Sequence, residues 1–135
     1  MRLVASALQL AVAIGLGARS AQAKSCYVAR IPNGGNVPSV PAIGHTDGTG
    51  RSSATNVFGK AFYSAGKAWT KALCMADSDG DGQTNGQELG DPCCEWNVTT
   101  NNVVRWTVGV SHPSDATKIS DPSLWANIQC STGTT

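Results

Sequence analysis

The sequence predicts a small α+β domain, loop-rich and disulfide-linked, in which one helix leads into an acidic loop and a few short antiparallel strands complete the core. Three observations carry that expectation. Five cysteines (Cys26, Cys74, Cys93, Cys94, Cys130) all lie beyond a leader-like start. An apolar stripe recurs at helical spacing between Phe58 and Ala76, and five of the nine acidic residues fall between Asp77 and Asp91. At 135 residues, the chain fits one domain.

The first residues read as an address. Arg2 supplies the positive start, Leu3 to Leu16 is apolar apart from Ser6 and Gln9, and Ala21-Gln22-Ala23 offers small residues where a signal peptidase cuts. The expected division is a signal peptide over 1–23 and a secreted, extracellular domain over 24–135. No later stretch approaches the roughly 20 apolar residues of a membrane helix, and no hydrophobic tail follows Cys130 to signal a lipid anchor. Without Arg2 and Arg19 the chain carries eight basic side chains against nine acids. The bases are scattered singly, which argues against a nucleic-acid partner, whereas clustered acids repel one another unless a cation compensates them.

An exported domain of this size gains from cross-links what a small core cannot supply. Five cysteines make two bridges and one leftover thiol, open to burial, reaction or an intermolecular disulfide. Asn97-Val98-Thr99 is an N-glycosylation sequon, so the chain is a candidate glycoprotein.

Between Ile31 and Ser53 the composition turns to Gly, Pro, Ser, Asn and Thr, with turn signals at Pro32-Asn33-Gly34-Gly35 and Gly48-Thr49-Gly50. Ile31, Val37, Val40 and Ile43 recur often enough to anchor it, which predicts an ordered loop. Asn56 is placed to cap a helix from Val57 to Cys74, whose residues Phe58, Phe62, Ala65, Trp69, Leu73 and Ala76 share one face. Gly59 and Gly66 weaken it by about 1 kcal/mol each relative to Ala, pointing to packing or close backbone approach. Farther on, Val104, Trp106, Val108 and Val110 alternate with Arg105, Thr107 and Gly109, which predicts a strand over Val103 to Val110; Cys26 to Ile31 is a second candidate strand. Ser123 to Ile128 has room for one helical turn.

The acidic run carries the most specific chemistry. Against a twelve-residue EF-hand loop, Asp77-Ser78-Asp79-Gly80-Asp81-Gly82-Gln83-Thr84-Asn85-Gly86-Gln87-Glu88 places carboxylates at positions one, three, five and twelve. Calcium takes six to eight oxygens, so three spaced aspartates can encircle it while a distant glutamate closes the far side. Gln83 offers its backbone carbonyl, Asn85 acts directly or through water, and Gly82 meets the sharp turn. The expected cofactor is therefore Ca2+, held by Asp77, Asp79, Asp81, Gln83, Asn85 and Glu88 in an EF-hand-like calcium loop. Thr84 replaces the usual apolar eighth residue, Gly90-Asp91-Pro92 cuts the exiting helix short, and no second loop pairs with this one. A structural site is expected rather than a sensor. Cys74 before the loop and Cys93-Cys94 after it can close its base with a bridge, although spacing alone does not say which of the two is used.

The chain resembles the temptin-like family through Ile31-Pro32-Asn33-Gly34, Val37-Pro38, Gly44-His45, Asn56-Val57-Phe58-Gly59, Ala65-Gly66, Trp69-Thr70, Leu73-Cys74, the run Asp77 to Pro92, Cys94, Trp96 and Ser111-His112-Pro113. The resemblance covers most of the region beyond the leader. It implies a secreted, non-enzymatic protein of the kind named after a molluscan water-borne attractant, with Cys74 bridged to Cys94. Cys130 then has Cys93 or Cys26 as partner. The expected role is a binding or signalling module acting on an extracellular protein or cell-surface component.

His45 and His112 are the only histidines. The alternative reading is a secreted enzyme that uses them to hold a transition metal, but a catalytic zinc site usually takes three protein ligands and nothing nearby supplies the third. Hydrogen-bonded structural histidines are the simpler reading. Of the four tryptophans, Trp69 and Trp106 fall on buried stripes, which leaves Trp96 and Trp125 as the expected exposed pair. No nucleophile elbow or zinc-protease helix is present, and no catalytic residue is assigned.

Overall fold

The computed structural model describes residues 26–132; the signal peptide expected over 1–23 lies outside them. The domain is built mainly from ordered loops, fastened by short helices and two disulfides onto one apolar cluster.

The Gly/Pro-rich segment after Ile31 is ordered because its sparse apolar residues are core: Ile31, Val37 and Ile43 are buried against Phe58, Phe62, Leu73, Leu89 and Val110. Polar groups fasten it further. Asn33 Nδ2 donates to the carbonyls of Leu89 and Trp106, at 2.8 Å each. Asp47 accepts the backbone N–H groups of Ser52, Gly50 and Thr49, and these bonds, that of Ser52 foremost, hold its carboxyl well below the usual range.

Helix α1, Val57–Ser64, starts where the sequence places its cap. Asn56 Oδ1 accepts from Gly59 N at 2.8 Å, while Asn56 Nδ2 donates to the carbonyls of Ile43 and His45, tying helix start to loop. A Cβ on Gly59 would collide with the Gly44 carbonyl, so this glycine permits the close approach its position implied.

The single helix expected from Val57 to Cys74 is instead two. Gly66 at φ +77 and Lys67 at φ +56 turn the chain left-handed, and α2, Lys71–Met75, starts afresh with Thr70 capping Leu73 N at 3.1 Å. The apolar period persists across the break because Phe58, Phe62 and Leu73 reach the same core from both pieces. Helix α3, Asn85–Glu88, packs against α2 and is one turn long; Thr84 and Gln87 form a complete capping box at its start. This explains the polar residue at the eighth position of the loop: Thr84 is a helix cap.

The expected strands are corrected. Among the described residues, antiparallel pairing is limited to the isolated bridges His45–Thr55 and Asn97–Asn101. Residues 26–28 are helical, and 103–110 run irregularly, with Val103 73% and Val108 85% exposed. The 103–110 segment meets the rest of the chain through single bonds, Arg105 N donating to Gly90 O and the Trp106 carbonyl accepting from Asn33, and Ser111 N just beyond it donates to Glu88 O. The tail forms a 3-10 turn, Pro122–Leu124, capped by Asp121.

The disulfides join Cys74 to Cys94 and Cys93 to Cys130, leaving Cys26 free and exposed. The first bridge is the one the resemblance implied, and the second takes one of the two partners left open for Cys130. The tryptophan expectation is reversed for one ring: Trp96 is only 9% exposed, while Trp125 stacks on Trp106 at 6.0 Å, both half-buried. No helix among the described residues is long and apolar enough to cross a membrane.

Candidate metal centre

Between α2 and α3 the chain makes a tight acidic turn whose ends are fixed before any ion is considered. Asn85 N donates to Ala76 O at 2.7 Å, and the Asn85 side chain, fully buried, donates to Leu73 O (2.8 Å) and Ser78 Oγ (2.9 Å). Asn85 therefore acts here as a brace across the base of the loop. Gln83 also has its side chain committed: its amide exchanges hydrogen bonds with the Ser120 backbone, donating to the carbonyl at 2.8 Å and accepting from the N–H at 2.9 Å. The Gln83 backbone carbonyl is the group left for an ion, as the loop pattern expects.

Asp77 sits at the centre of the turn. Its Oδ1 accepts from Gly80 N and Asp81 N, and its Oδ2 from Gly82 N at 2.8 Å, with Gly82 at φ +93. Burial works to raise its pKa, but the donors Gly82, Gly80 and Asp81 outweigh it and hold the carboxyl below its ordinary value.

Asp79 and Asp81 each give one oxygen to the backbone: Asp79 Oδ1 accepts from Asp81 N at 3.3 Å, and Asp81 Oδ1 from Gln83 N at 2.8 Å. Their Oδ2 atoms are buried without a hydrogen-bond partner. Carboxylate oxygens of Asp77, Asp79 and Asp81 all lie within 4.8 Å of one another. Two ligands of one calcium, each at 2.3–2.6 Å, stand at most about 5 Å apart, so the three fit around a single ion.

Glu88, from the last position of α3, is fully buried. Its Oε1 accepts from Ser111 Oγ at 2.8 Å, and its Oε2 has no partner. Ser120 supports this arrangement, its hydroxyl donating to Gly109 O at 2.8 Å with Ser111 Oγ 2.9 Å away. Burial is the main cause that pushes the Glu88 pKa up to about 8, and the charges of Asp79, Asp81 and Asp77 add to it against the Ser111 bond. Asp79 is raised to about 6, by burial first and then by Asp81. Three partnerless carboxylate oxygens, on Asp79, Asp81 and Glu88, are the chemistry of a cation site: each is costly to bury unpaired, and among the described residues no lysine or arginine pairs with them.

Asp91, grouped with the acidic run by sequence, does different work. Its Oδ2 accepts from Trp69 Nε1 at 2.8 Å, its Oδ1 from Glu95 N at 2.9 Å, and both from Trp96 N at 3.2 Å. It fixes the segment that carries Cys93 and Cys94. Sequence reading missed this role, because it groups Asp91 with the acids by proximity alone, and those of Ser111 and Ser120, whose partners Glu88 and Gln83 lie 23 and 37 positions away.

The histidines stand apart. His45 Nδ1 pairs with the Ser52 carbonyl at 3.0 Å, and His45 lines an apolar cavity of about 190 Å³ with Ile31, Ile43, Phe58 and Phe62 and no acidic or cysteine side chain. His112 Nδ1 accepts from Ser114 N at 3.1 Å, and burial lowers its pKa. Among the described residues, the aspartate triad is the one group of three or more His, Cys, Asp or Glu side chains close enough to share an ion.

Fold and site define a disulfide-linked domain with an acidic loop braced between two short helices. The Temptin C-terminal family model matches residues 21–115, and temptin of Aplysia californica is 42% identical over 115 residues, covering 78% of this chain and 88% of that protein. The chain belongs to the temptin family. No solved structure matches it.

Proposed function

We propose that this chain is a secreted, non-enzymatic protein in which one structural calcium ion locks the acidic loop, leaving a rigid surface to be recognised by another extracellular protein or cell-surface component. The observation that supports it most is the set of three buried carboxylate oxygens without partners, on Asp79, Asp81 and Glu88, in a loop that matches an EF-hand at its ligand positions and its turn glycine. Asp77 and the Gln83 carbonyl complete the ligands, and Asn85 braces them. Bound there, calcium supplies the positive charge that the clustered acids lack.

Secretion rests on the leader-like start and on two disulfides, which persist in oxidising compartments. Membership of a family that includes temptin of Aplysia californica fits the same compartment. Metal analysis of protein purified from culture medium and dialysed against calcium-containing buffer tests the reading. One calcium per chain, without stoichiometric copper or zinc, is expected. A transition metal released by Ala at His45 and His112 would favour the enzymatic alternative instead.

A further inference from the structure

The sequon Asn97-Val98-Thr99 occupies an exposed tight turn closed by reciprocal backbone bonds, Asn97 N to Asn101 O at 2.7 Å and Asn101 N to Asn97 O at 3.1 Å. Within it the Asn97 carbonyl oxygen accepts from Thr99 N (2.9 Å), Thr99 Oγ1 (2.8 Å) and Thr100 N (3.1 Å). All of these bonds use Oδ1. The amide nitrogen, the atom that N-glycosylation modifies, has no hydrogen-bond acceptor among the described residues, and Asn97 is exposed.

Asn97 lines a groove of about 290 Å³ together with Trp69, Trp96, Val98, Arg30 and Lys67. Its walls combine what a sugar ring takes: indole and aliphatic surface for the C–H faces, and the Arg30 and Lys67 donors for hydroxyl and acetamide oxygens. No carboxylate lines it. Both cations are held near aromatic rings, Arg30 5.5 Å from the Tyr27 ring centre and Lys67 5.2 Å from those of Tyr27 and Tyr63. Trp69 is fixed through Asp91, so the groove is built before a sugar arrives.

We propose that Asn97 carries an N-linked glycan whose first N-acetylhexosamine seats in this groove. This rests on the reading of the chain as exported, since transfer takes place in the lumen of a eukaryotic secretory pathway. In the transfer, the Asn97 amide nitrogen bonds to the anomeric carbon of a lipid-pyrophosphate-linked oligosaccharide. The bond from that carbon to the phosphate oxygen breaks, the electron pair leaves on the lipid pyrophosphate, and one amide proton passes to a base of the transferring enzyme. Nothing is oxidised or reduced.

The test is to express the full chain in eukaryotic cells, recover it from medium and lysate, and compare it with Thr99→Ala and Thr99→Ser. The expected result is a secreted protein with a glycan mass on the peptide containing Asn97, removed by peptide N-glycosidase, absent in Thr99→Ala and retained in Thr99→Ser. After trimming to a single sugar, nuclear Overhauser contacts should join its ring or acetamide protons to the Trp69 or Trp96 indole. Secreted protein without the mass overturns the site. A glycan without contacts to either indole overturns the seating. Unmodified protein retained in the lysate overturns the export reading and the modification together.

Discussion

The Ser111 hydroxyl holds one oxygen of Glu88 at 2.8 Å and leaves the other buried without a partner. The two residues lie 23 positions apart, so the fold delivers this contact and no local motif does. Ser111 thus holds a carboxylate whose pKa is raised by burial first and then by the charges of Asp79, Asp81 and Asp77. Ser111→Ala should cost about 1–3 kcal/mol in the calcium-free protein, the range for leaving a buried polar group without its hydrogen-bond partner. It should also weaken calcium binding several-fold. Urea unfolding with chelator, beside a calcium titration, checks both; an unchanged affinity would deny Ser111 its orienting role.

The carboxyl of Glu88 sets a pH dependence. Its folded pKa, about 8, lies above its ordinary 4.5. Its contribution to calcium-free stability is therefore fully present below about 4.5 and is lost as pH rises through about 8. Asp79, raised to about 6, acts in the same direction over a narrower window. The lowered His112 pKa works oppositely at the acid end, where stability falls as pH drops through the folded value. Comparing wild type with Glu88→Gln isolates the Glu88 contribution: the variant should lose less stability than wild type between pH 5 and pH 8 in chelator. Parallel pH profiles would contradict this account.

The helical stripe of the sequence was legible because Phe58, Phe62 and Leu73 all point to one core, yet that periodicity could not reveal the break between them. The left-handed turn at Gly66 and Lys67 rotates the chain while keeping the same residues inward, so a window count sees one helix. The alternation at Val104, Trp106, Val108 and Val110 failed for a different reason: the segment bends and turns at Gly109, φ +95, and its backbone meets Gly90 and Asn33 instead of a neighbouring strand. The turn glycine and carboxylates of the acidic loop are local and visible in spacing, whereas Glu88 meets Ser111 23 positions away and Gln83 meets Ser120 37 positions away, which no local pattern displays.

Asp91 accepts from Trp69 Nε1 and from the N–H groups of Glu95 and Trp96, with 4% of its surface exposed. Asp91→Ala strands those donors and should destabilise the domain by about 3 kcal/mol or more, beyond what an exposed aspartate would cost. Urea denaturation measures the loss, and Trp69 emission should shift to the red. A change under about 0.5 kcal/mol would rule out the hub role.

Cys74–Cys94 closes a loop of 20 positions around the acidic turn. By chain entropy such a bridge contributes about 3 kcal/mol. Replacing Cys94 with Ser should lower stability by that order and reduce calcium affinity, while Cys26→Ser should leave both unchanged. Titration of the unreduced, unfolded protein should find one thiol per chain, that of Cys26; three thiols would mean that one of the two bridges is not formed.

The most direct measurement is calorimetric titration of calcium into the oxidised protein, beside Glu88→Gln. The prediction is one ion per chain with a dissociation constant no weaker than about 10⁻³ M, as in extracellular modules. At ten times that constant, calcium should stabilise the fold by about 1.4 kcal/mol. Glu88→Gln should abolish or greatly weaken binding while retaining a folded domain. An absence of calcium heat in a folded wild-type protein, or equal binding by the variant, would contradict the central claim that these carboxylates form a calcium site.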